Sequence, residues 1–192
     1  MNLQGSATLH EEADTDSRPL ISAIASSNRA AMAEFYNRYQ ASVFKFAMTF
    51  LSDRFAASDV LNDVMLHVWK GASKYRGDAS PQTWVLGITR NVAIQALRGR
   101  YRHAAEPLEA AEDLQSLGDD VSEAFDAIEG AQRINACVAL LPESQKAVIH
   151  LAFYEELSYP EISALMDIPE GTVKSRVFHA KRFLKHCLGN AP

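Results

Sequence analysis

Gly171, Lys174, Ser175, Phe178, His179, Arg182 and Lys185 recur at steps of three and four, so on a helix they share one face. Val173, Val177, Ala180, Leu184 and Cys187 fall on the opposite face and are expected to be buried. The chemistry the polar face can do is recognition: cations for phosphate oxygens, and donors and acceptors for base edges in a major groove. A plain cationic surface helix accounts for the lysines and arginines. It does not account for Phe178 among them, or for a glycine in the first turn, where a phosphate or groove wall can come close. A second set lies upstream. Tyr75-Arg76-Gly77-Asp78-Ala79-Ser80 has no apolar period, and Trp84, Gly87, Asn91 and Arg98 follow it at steps of three, four and seven. A basic loop with an aromatic, beside a helix bearing Trp, Asn and Arg, suits single-stranded nucleic acid, whose bases stack on rings and hydrogen-bond through exposed edges. A core tryptophan beside an ordinary solvated face fits the same spacing, and spacing alone does not choose. No histidine and carboxylate fall at ligand or triad spacing, and there is no glycine-rich phosphate loop, so no catalytic residue, metal or cofactor is expected.

The elements that must hold these residues read as helices throughout. Ser158 and Glu161 form a capping box, Pro160 suits a first turn, and Ile162, Leu165 and Met166 make one apolar face. Asp167-Ile168-Pro169 then breaks the helix, and Pro169-Glu170 opens the next, which makes Ser158 to Leu184 a helix-turn-helix candidate. Upstream, an apolar period runs from the N-cap Asn28 through Phe35, Tyr39 and Val43 to Leu51. Another runs from Ala56 to Lys70 with Val60, Leu61, Val64, Leu66, Val68 and Trp69 on its apolar positions. Ser80-Pro81 caps a long helix whose core face is Val85, Ile88, Val92 and Ala96. After residue 127, Ile128, Ile134, Val138 and Leu141 form one segment, ended by Pro142, and Val148, Leu151 and Ala152 mark another.

With 192 residues, 47% of them hydrophobic, the chain is long enough for one or two cores. We expect an all-α protein: a tail over residues 1–18, a domain over 19–102, an acidic linker over 103–126, and a second domain over 127–192 containing the helix-turn-helix. The net charge of −5 argues against a protein that finds DNA unaided by bulk electrostatics; two basic islands, Lys70 to Arg102 and Lys174 to Lys185, sit in an acidic chain. Cys137 and Cys187 are read as separate apolar core residues of a reduced, cytoplasmic protein. No apolar run reaches the roughly 18 residues of a membrane span, and the N-terminus, with Glu11, Glu12, Asp14 and Asp16, lacks a signal peptide's basic start.

On these residues the chain resembles the extracytoplasmic-function (ECF) sigma factors of bacterial RNA polymerase. The likeness is carried by SDVLNDVMLHVW (Ser58 to Trp69), by YRGDASPQTWVLGITRN (Tyr75 to Asn91), and by LPESQKAVIHLAFYEELSYPEISALMDIPEGTVKSR (Leu141 to Arg176). The resemblance implies two helical domains without catalytic residues. It implies that Asp59, Val60, Asn62 and Asp63 dock on core polymerase. It implies that Tyr75, Arg76, Gly77, Asp78, Ala79 and Ser80, with Trp84, Asn91 and Arg98, engage the melted minus-ten element. Gly171, Thr172, Lys174, Ser175, Arg176, Phe178, His179 and Arg182 then meet the duplex minus-thirty-five element. Implied partners are core polymerase, promoter DNA and a membrane-anchored anti-sigma factor. Asn62-Asp63 replaces the family's usual Gln-Glu, and His179 stands where arginine often reads the promoter.

Overall fold

The computed structural model describes residues 17–103 and 125–189. Among the described residues there are eight α-helices and no strand: α1 (Arg18–Ala25), α2 (Arg29–Ala47), α3 (Arg54–Gly71), a 3-10 turn (Ala72–Lys74), α4 (Pro81–His103), α5 (Phe125–Ala139), α6 (Glu143–Phe153), α7 (Tyr159–Met166) and α8 (Glu170–Gly189). Most of the expected tail and of the expected linker, residues 1–16 and 104–124, lies outside the described residues. Of the two remaining residues that the sequence placed in the tail, Ser17 is buried and Arg18 already opens α1. At the linker's edges His103 still belongs to α4, and Phe125 and Asp126 already belong to α5. None of the described helices is long and apolar enough to cross a membrane.

Helix starts follow local chemistry. Asn28 Oδ1 accepts from the backbone N–H of Ala30 at 2.9 Å and of Ala31 at 3.1 Å. Asp53 Oδ1 accepts from Phe55 N–H, and Ser80 Oγ from Thr83 N–H, each satisfying a donor that has no partner inside its helix. α1 to α4 pack together around Phe35, Val43, Phe46, Val64, Val68, Val85 and Leu86, all without solvent exposure. Each such side chain stabilises the fold by roughly 1.5–3 kcal/mol relative to leaving it in water. α5, α6 and α7 each pack on α8 around Val148, Leu151, Ile162, Val173 and Val177.

Two expectations need correction here. Cys137 on α5 and Cys187 on α8 are joined in a disulfide, their Cα atoms 6.0 Å apart across a separation of 50 residues. The last turns of α8 run back beside α5, and that pairing of helices is invisible in the spacing of the two cysteines. Leu66 is 53% exposed: α3 buries Val60, Leu61, Val64, Met65 and Val68, and the helical period carries position 66 to the outer face.

The two helical groups also touch each other, α4 against α7 and α2 against α6. Between α6 and α7, Glu155 is buried, and its Oε2 accepts from Ser42 Oγ on α2 at 2.7 Å and from Gln82 Nε2 on α4 at 2.8 Å. His150 Nε2 lies 3.0 Å from its other oxygen. The His150 ring stacks on Phe46, centroids 5.5 Å apart. Burial alone raises the Glu155 carboxyl; hydrogen bonds from His150, Ser42 and Gln82, with the charge of His150, outweigh it and hold the group below the usual carboxylate range.

Candidate nucleic-acid interface

The helix-turn-helix is built from its caps inward. Ser158 Oγ accepts from Glu161 N–H, and the Glu161 carboxylate accepts from Ser158 N–H at 2.8 Å, so the capping box read from the sequence is closed in both directions. Ile162, Leu165 and Met166 are buried as their period requires. The turn depends on Asp167, whose φ of 52° is left-handed, a conformation aspartate tolerates better than most residues. Ser163 Oγ donates to Ile168 C=O at 2.6 Å, and Pro169 C=O accepts from the N–H groups of Thr172 and Val173, which starts α8.

On α8, Val173, Val177 and Ala180 are buried while Gly171, Lys174, Ser175, Phe178, His179 and Arg182 are exposed, with Thr172 and Arg176 half-buried between the two faces. Leu184 and Cys187 are only half-buried, so the inner face thins toward the C-terminal end. No heavy atom lies within 4 Å of where a Gly171 Cβ would stand, so the glycine leaves an open approach rather than relieving an internal clash. Phe178 is 61% exposed, with no packing role to explain an aromatic there. Its ring meets His179 edge-on at 5.5 Å. Lys174 pairs with Glu170 one turn earlier at 2.7 Å, an exposed pair that a phosphate can displace at small cost.

The upstream loop is shaped by Tyr75. Its O–H donates to Ala79 C=O at 2.6 Å, and its ring packs on Trp84 with centroids 5.0 Å apart. Gly77, with φ +79°, supplies the left-handed residue of the turn. Arg76 and Asp78 pair at 3.0 Å in full view of solvent. Trp84 is half-buried against the core and supports the loop through Tyr75. Asn91 and Arg98 are exposed farther along α4. Part of the basic island is committed elsewhere: Arg100 pairs with Asp53 at 3.3 Å, and Arg90 donates to Met166 C=O at 3.0 Å.

On α3, Asp59, Asn62 and Asp63 are exposed and share one face. Val60 is corrected from that set: it is 2% exposed and packs in the core, because the helical period turns it away from its acidic neighbours. The exposed Leu66 extends the same outer face by one turn. Its steps of three from Asp63 and seven from Asp59 put it on that face, whereas its apolar type alone puts it with the core.

Residues 35–103 match the family model for sigma-70 region 2, and residues 131–184 match the model for sigma-70, region 4. The ECF RNA polymerase sigma factor SigK of Mycobacterium sp. (strain JLS) is 29% identical over 179 residues, covering 91% of this chain and 92% of the relative. SigK of Mycobacterium tuberculosis is 28% identical over 176 residues, covering 91% and 94%. Two solved structures share the fold: CnrH in complex with the cytosolic domain of CnrY, with a TM-score of 0.65 at 21% identity over 92% of this chain and 99% of that one, and the sigma factor RpoE in complex with the anti-sigma factor NepR from Bartonella quintana, with a TM-score of 0.64 at 20% identity over 83% and 98%. With regions 2 and 4 matched in order along one chain whose described residues form helices and no strand, the protein belongs to the ECF sigma factors of RNA polymerase.

Proposed function

We propose that this chain directs core RNA polymerase to specific promoters and helps melt them to begin transcription. The observation that carries the reading is the presence in one chain of both sigma regions. α8 reads the duplex minus-thirty-five element through Gly171, Thr172, Lys174, Ser175, Arg176, Phe178, His179 and Arg182. The loop Tyr75 to Ser80, with Trp84, Asn91 and Arg98, captures unpaired bases of the minus-ten element. Asp59, Asn62, Asp63 and Leu66 dock on the polymerase. The family is one of transcription initiation factors, and the phosphodiester chemistry belongs to the polymerase. The chain works where the polymerase is, in the cytoplasm, and an anti-sigma factor anchored in the membrane holds it inactive until a signal releases it. A stand-alone helix-turn-helix regulator leaves region 2 without a purpose.

The distinction is measurable by promoter binding. With a net charge of −5 and small, separate basic islands, the free chain binds promoter DNA weakly, and the holoenzyme binds it tightly. Nanomolar, sequence-specific binding by the free chain at physiological salt would favour the regulator and sink the sigma reading.

A further inference from the structure

Resting on the sigma-factor reading, we propose that the free chain is held closed by an internal clasp centred on Glu155, and that this closed form is autoinhibited. One carboxylate ties the region 4 half to two helices of region 2 at once: Oε2 takes hydrogen bonds from Ser42 on α2 and Gln82 on α4, and Gln82 also donates to the Glu155 backbone C=O at 3.2 Å. His150 is held against Oε1 on one side and Phe46 on the other, so its ring fills the gap between α6 and α2. A second tie lies at the recognition motif itself. Arg90, beside the minus-ten residue Asn91, donates to the C=O of Met166, the last residue of the first helix of the helix-turn-helix.

Geometry makes this arrangement incompatible with the work of a sigma factor. Two promoter elements roughly 25 base pairs apart are separated by about 85 Å of duplex at about 3.4 Å per pair. A packed chain of this length has a radius of gyration near 16 Å. The closed form cannot span both elements, so engaging a promoter requires the halves to part. The clasp suits parting, because hydrogen bonds of Ser42, Gln82, Glu155 and Arg90 are readily replaced by water, as in transient rather than permanent interfaces. Arg90 biases the same way: its Nε is buried without a hydrogen-bond partner among the described residues, a defect that opening relieves. Closing therefore keeps α8 and the loop–α4 surface from engaging both elements at once until polymerase supplies a better set of contacts.

The test uses the full-length chain with Ser42→Ala and Gln82→Ala together, two residues outside every nucleic-acid and polymerase surface named above. Circular dichroism first establishes that helicity matches the wild type; if it does not, Gln82→Ala alone is carried through the same measurements. Small-angle scattering of the free chain is expected to show a larger radius of gyration in the variant. Its affinity for core polymerase is expected to rise, by about tenfold if the open form is about a tenth of the wild-type population. An unchanged radius of gyration overturns the clasp. A larger radius with unchanged polymerase affinity overturns the autoinhibition. If neither protein binds core polymerase, the sigma-factor reading fails, and the scattering comparison still decides whether the clasp closes the chain.

Discussion

Asn91 shows what one side chain can be asked to do. It is exposed on α4, its Oδ1 3.4 Å from Arg90 Nη1, on the helix that Trp84 and Tyr75 tie to the loop. A flipped base that loses its amide partner forfeits about 1–3 kcal/mol, so Asn91→Ala should cut open-complex formation roughly tenfold or more while upstream duplex binding stays near wild type. Permanganate reactivity of the melted region measures this; full reactivity in the variant would remove Asn91 from the site. Glu155 gives a residue-scale expectation with a defined sign. Its folded pKa lies below the ordinary carboxylate value near about 4.3, so its contribution is complete above that value and lost as pH falls through it toward the depressed one. Urea midpoints of wild type and Glu155→Gln should therefore differ at pH 7 and converge in acid. A constant difference across that range would mean the carboxylate is not the stabilising form.

At the scale of elements, most of the fold was legible because it is local. The caps at Asn28, Ser80 and Ser158 sit within three residues of the donors they satisfy, and the apolar faces of α3, α4 and α8 repeat at the helical period. A contiguous motif and an apolar tally both miss that period: Val60, next to Asp59 in the chain, turns inward, and Leu66, apolar like its core neighbours, turns outward. The α5–α8 pairing was not legible at all, since nothing near Cys137 indicates which helix returns to it. Its disulfide closes a loop of 50 residues, a constraint worth about 4 kcal/mol in the chain-entropy account. Reductant should lower the melting temperature of the region 4 half by roughly ten degrees or more. A Cys137→Ser, Cys187→Ser double variant should start from the lower value and ignore reductant; equal melting of the wild type with and without reductant would contradict the bridge.

For the whole molecule, motifs and charge islands in the sequence announced two helical halves and candidate nucleic-acid surfaces, yet not that the halves meet. Glu155 reaches Ser42 across 113 residues and Gln82 across 73, and a lone glutamate after a helix carries no mark of such a contact. The central claim, that this chain gives polymerase its choice of promoter, is tested most directly by transcription from genomic DNA with purified core polymerase, with and without the chain, reading the 5′ ends of the products. The account predicts a discrete set of start sites that appears only with the chain and shares two upstream sequence blocks. Transcripts no different from those of core polymerase alone would contradict it.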